Sequence, residues 1–189
     1  MTKLFSIFIL ALLITGCSYK NQSINLQPYQ ADISINNSQE KKSVYIKTVK
    51  DLRTNKISIG SVIKDNEDDI SLFSDESFEK EYKEKLTKAF KNAQFITNTD
   101  ILSADLVIEV YIEKIELIYN KNISFDKNLN GEIQLTTIVY KNEKKIRQNF
   151  KQSASKWLAN SHNSKDIEPF LNEMFSQSVN RVVSRLTRY

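Results

Sequence analysis

Nucleophilic or acid–base chemistry needs a base within reach of a nucleophile, and this sequence offers one histidine, His162, and one cysteine, Cys17. His162 stands in the polar stretch Asn160-Ser161-His162-Asn163-Ser164 and reads as a solvated loop residue. Zinc is disfavoured by the same scarcity, because its sites draw on several cysteine or histidine ligands. The segment Asp126-x-Asn128-x-Asn130-Gly131, with Ile133 in the eighth place, matches the opening of a calcium loop. Such a loop closes on a bidentate glutamate in its twelfth place, and here that residue is Thr137. Its flanks read as strands and Asn-Gly is itself a hairpin pair, so a turn is expected there. No catalytic residue, metal ligand or cofactor-binding residue is assigned, and the chain is expected not to be an enzyme.

Two charged sets remain. Arg181, Arg185 and Arg188 recur at helical spacing on one side of the last predicted element. They either favour the negative helix end or, through the guanidinium fork, contact anionic headgroups or phosphates. Asp51 and Arg53 follow the first predicted strand, where they could pair to fix the next loop or meet a partner. The net charge of +4, from 27 basic and 23 acidic residues, is too even for a nucleic-acid protein, so no nucleic-acid partner is expected.

The apolar run Leu4–Ile14 follows Lys3 and is about half the ~20 residues a membrane-spanning helix needs. A charged start, short apolar middle and small-residue exit describe a secretory signal. Its end, Ile14-Thr15-Gly16-Cys17, resembles the bacterial lipobox. That resemblance implies removal of residues 1–16 and acylation of Cys17, giving a lipid anchor rather than a nucleophile. Ser18, in place of the aspartate that retains enteric lipoproteins in the inner membrane, implies the outer membrane, facing the periplasm. With one cysteine, no disulfide is expected.

Residues 17–42 carry the anchor and an Asn/Gln/Ser-rich stretch that reads as a flexible tether, with a root-mean-square span of about 28 Å. Residues 43–189 are expected to be one domain. Ser43–Lys50 alternates as a strand does, and Ile57–Ile63 is a second strand or an ordered loop. The acidic run Asp65–Asp69 should be solvated. Phe78, Tyr82, Leu86, Ala89 and Phe90 mark one face of a helix over Glu76–Lys91, capped by Ser74 or Asp75. Gln94–Thr97 reads as a short strand. Ala104–Tyr119 changes apolar parity within its length, which predicts a bulge near Glu113-Lys114. Glu132–Tyr140 and Ile146–Trp157 form a hairpin through Lys141–Lys144, with Trp157 expected to pack in the core. A closing helix carries the apolar stripe from Ile167 to Leu186, with Pro169 in its first turn. The expected architecture is α+β: an antiparallel sheet with two amphipathic helices on one face, a two-layer sandwich.

The lipobox, the polar tether, Val49-x-Asp51-x-Arg53, Ile59-Gly60 before an acidic loop, and Ala104-Asp105-Leu106 opening a long strand resemble the YajG-type outer-membrane lipoproteins. That resemblance implies a location and a fold, with no enzymatic activity. The architecture also resembles lipopolysaccharide-assembly lipoproteins of the LptE type, although their aromatic segment after Gly-Cys is replaced here by Ser18-Tyr19-Lys20. A third likeness is to activator domains of the LpoB or TolB amino-terminal kind. The last two likenesses imply an envelope protein or lipopolysaccharide as partner, and the expected protein is a domain held to the membrane by its lipid anchor with another envelope protein as partner.

Overall fold

The computed structural model describes residues 22–27, 41–64, 69–97, 100–124, 126–159 and 164–189. Cys17, His162 and most of the acidic run lie outside them. One seven-stranded mixed sheet contains β1 (Gln22–Ser23), β2 (Val44–Asp51), β3 (Ser58–Ile63), β4 (Ile70–Phe73), β5 (Leu106–Asn120), β6 (Leu129–Lys141) and β7 (Lys144–Lys156). Helices α1 (Phe78–Asn92) and α2 (Ser164–Leu186) cover one face of it. This is the expected α+β architecture.

β5 is the spine of the sheet. Its first half pairs with β2 and its second half with β3, both parallel, while β6 runs antiparallel along its other edge. The order is β1-β4-β3-β5-β6-β7, with β2 also on β5. Whereas an antiparallel sheet was expected throughout, α1 lies in the connection between β2 and β5, and such a crossover delivers the second strand in the direction of the first.

The apolar stripes of the two helices meet over this sheet. Phe78, Tyr82, Leu86, Ala89 and Phe90 of α1 are buried, as are the stripe residues of α2 from Ile167 to Leu186. The rings of Tyr82 and Phe175 lie 4.0 Å apart at their centroids, joining the second turn of α1 to the middle of α2. α1 starts later than its composition suggests. Ser77 is its cap, accepting from the Lys80 amide at 3.4 Å, and Glu76 stays outside the helix.

The parity change in β5 is resolved by a register shift between Ile112 and Lys114, so that Ile112 and Ile115 are both buried. Asn142 and Glu143 both adopt positive φ (47° and 65°), the conformation of a tight two-residue hairpin, and set β7 against β6. Asn130-Gly131 is not a turn. It lies within β6, where a Cβ on Gly131 would come 2.3 Å from the Met174 sulfur, so the glycine lets α2 sit down on the sheet. The turn before β6 is tied by the buried Asn128, whose side chain donates to the Leu158 carbonyl and accepts from its amide, each at 2.8 Å. With that amide so engaged, the calcium-loop reading loses a central ligand. Gln94–Thr97 reduces to one bridge between Ile96 and Ser43, and Trp157 is half exposed, its indole donating to the Ser124 carbonyl.

Candidate functional site

Asp51 closes β2 and Arg53 follows two residues later, so both side chains turn toward the start of α1. The guanidinium grips the carboxylate with Nη2–Oδ2 at 2.8 Å and Nε–Oδ1 at 3.0 Å. Its remaining donors reach the carbonyls of Lys56 (2.7 Å) and Ser58 (3.0 Å), and its Cζ lies 4.7 Å from the centre of the Phe78 ring. Asp51 and Arg53 are 4% and 8% exposed. Such a pair fixes the loop from Leu52 to Ile57 from within, while Arg53 also lines a small pocket with Asn55, Glu113 and Glu116.

The arginines of α2 are brought together, and with more than themselves. α2 lies across β6 and β7, and a groove of about 560 Å³ runs between its carboxyl-terminal half and the outer margin of β7. Arg147, Phe150, Lys151, Arg181, Arg185 and Arg188 line it. Two of these cations have neighbours: Arg147 is 3.9 Å from Glu113, and Lys151 is 2.6 Å from Glu132. Arg181 donates to the Lys151 carbonyl. Among the described residues, no carboxylate forms an ion pair with Arg181, Arg185 or Arg188. The groove is therefore a cationic surface suited to carboxylate or phosphate oxygens. The sequence showed the three arginines of α2; it did not show that they stand beside the edge strand β7, whose Arg147 and Lys151 turn their side chains to Glu113 and Glu132 on the other sheet face.

A third polar cluster lies on the sheet face away from the helices. Glu109 accepts from Lys47 at 2.7 Å, from Tyr111 at 3.0 Å and from Tyr140 at 3.3 Å. The Lys47 hydrogen bond holds the Glu109 carboxyl below its ordinary range and raises the Lys47 ammonium. On the same face Glu132 is bracketed by Lys151 and Lys114, which pull its pKa down to about 2.

Residues 22–27, expected to belong to the tether, are instead part of the domain. Ile24 is fully buried and its amide donates to the Phe73 carbonyl. The next amides reach side chains of α2 and of the residues before α1: Asn25 to Glu168, Leu26 to Glu76, and Gln27 to Asn172 at 2.6 Å. The buried Lys85 of α1 donates to the Gln27 carbonyl at 2.5 Å, and its burial lowers the ammonium pKa. The signal missed in the sequence was the alternation Ile24-x-Leu26, submerged in polar neighbours.

The sequence model of a family described as uncharacterized lipoprotein matches residues 30–184. Among solved structures, the chain is similar to a Xanthomonas campestris protein of the DUF330 family, with a TM-score of 0.59, 9% identity, and coverage of 86% of this chain and 91% of that one. It is also similar to an uncharacterized protein, with a TM-score of 0.53, 7% identity, and coverage of 88% and 99%. At such identities the likeness is one of fold. Among the curated proteins none matches. No described helix is long and apolar enough to cross a membrane.

Proposed function

Because the chain belongs to the family of uncharacterized lipoproteins, we propose that it is acylated at Cys17 after removal of residues 1–16 and works as a non-enzymatic interaction module of the cell envelope, most like the YajG type. The motif Ile14-Thr15-Gly16-Cys17, within a family already known by its lipoprotein character, carries this reading. Ser18 directs the anchored protein to the outer membrane, with the domain in the periplasm.

The docked segment adds a geometric consequence. Five residue steps separate Cys17 from Gln22, a reach of about 17 Å at full extension, so the edge formed by β1 and β4 stays near the bilayer. A long leash is replaced by a close mount. Pulldown of the mature protein from detergent-solubilised envelope tests the module reading: stoichiometric recovery of a defined envelope protein, dependent on the folded domain, is expected. Turnover of a substrate sensitive to His162→Ala would contradict it.

A further inference from the structure

β7 ends the sheet, and among the described residues its one strand partner is β6. In an antiparallel ladder, alternate residues turn their backbone N–H and C=O toward the partner and the intervening ones turn them away. The hydrogen bond from Arg181 to the Lys151 carbonyl shows which set faces outward: the odd-numbered residues, including Arg147 and Asn149. These residues line the groove already described. One wall is thus the outward-turned backbone of β7, with the Lys151 carbonyl capped by Arg181 and the stretch from Lys145 to Asn149 turned to the groove, and the other wall is α2 with its three arginines.

Resting on the reading of the protein as an interaction module, we propose that the groove between β7 and α2 takes up an extended acidic segment of a partner protein, added as a strand beside β7. Charge selects the occupant. A second copy of β7 would bring a second set of Lys144, Lys145, Arg147, Lys151 and Lys156 to an edge that already carries these five cations, which opposes self-pairing there. An acidic strand beside β7 meets Arg181, Arg185 and Arg188 on its helix-facing side, where no carboxylate among the described residues pairs with them. Position argues against bilayer headgroups. The segment leading from the anchor docks at Glu168 and Asn172, whereas Arg185 is about 20 Å farther along the helix at 1.5 Å per residue. The groove therefore lies at the end of α2 remote from the mount.

The test uses the mature full chain in detergent and a labelled peptide of about nine residues alternating glutamate with valine, long enough to span the outward-facing stretch of β7. Two counterparts accompany it, one with lysine for glutamate and one methylated on alternate backbone nitrogens. Binding of the acidic peptide is expected, with slowed amide exchange at Arg147 and Asn149. At least about tenfold weaker binding is expected for the methylated peptide, the lysine peptide and the Arg185→Glu/Arg188→Glu variant. Both arginines are exposed, so the variant should melt as the parent does. Equal binding of the methylated peptide overturns the proposal, as does absence of acidic-peptide binding while phosphatidylglycerol vesicles are bound in an Arg185-dependent way. Membrane fractionation separates the two readings: loss of peptide binding in a protein still held by the membrane sinks the groove and leaves the anchor standing.

Discussion

The Asp51–Arg53 pair shows what residue spacing tells and what it hides. Asp-x-Arg after a strand announces a pair, but nothing local distinguishes a surface pair from one closed over by Phe78 and two carbonyls. Removing one member leaves a buried charge uncompensated, at a cost of about 3–5 kcal/mol. Urea denaturation should show that loss for Arg53→Ala, and Arg53→Lys should recover little because the forked geometry is missing. A loss below about 1 kcal/mol would mean that the loop is held otherwise. Glu132 gives a pH signature. Its folded-state pKa of about 2 lies below its ordinary value of 4.5, so its contribution is present above about pH 4.5 and fades as pH falls toward 2. Thermal melts across that window should decline less steeply for Glu132→Gln than for the parent. Part exposure keeps the effect modest, and identical slopes would contradict the assignment.

At the scale of elements, legibility followed periodicity. The β5 bulge was readable because a strand whose apolar parity flips must slip by one residue to keep both halves in the core. The two helices were readable from their stripes. β1 and β4 were not: the first is two residues long in polar surroundings, and the second, Ile70–Phe73, is too short to show a period. Asn130-Gly131 misled because local turn chemistry is overridden where a helix needs a flat seat on the strand. Both strand glycines can be tested. Gly60 has φ 150°, and a Cβ there would lie 1.9 Å from the Leu117 carbonyl oxygen, which belongs to backbone and cannot swing aside. Gly60→Ala should therefore part β3 from β5, visible as lost amide protection across Gly60–Ile63. Gly131→Ala should cost about 1–3 kcal/mol, since the flexible Met174 side chain can yield in part. A neutral Gly60→Ala would refute the close-approach account of Ile59-Gly60. For the docked edge, Ile24→Asp should expose residues 22–27 to protease while the rest of the domain stays resistant.

For the whole molecule, the α+β class and helical layer followed from the order of elements, but strand direction did not. Whether β2 lies parallel or antiparallel to β5 depends on which end of the sheet the chain reaches after α1, and no local pattern encodes that. The groove was likewise invisible, because it joins residues some 30 positions apart through the seating of α2 on β7. On the proposed acylation of Cys17, a short lead and a mount at the β1–β4 edge would leave the edge strand β7 and the arginines at the far end of α2 facing away from the bilayer. All of this orientation hangs on a single modification. Mass spectrometry of the native amino terminus, read beside membrane fractionation of Cys17→Ala, tests it most directly. The account predicts a mature chain beginning at an acylated Cys17 and a variant released from the membrane fraction; an unprocessed Met1 terminus, or a Cys17→Ala protein that stays with the membrane, would contradict it.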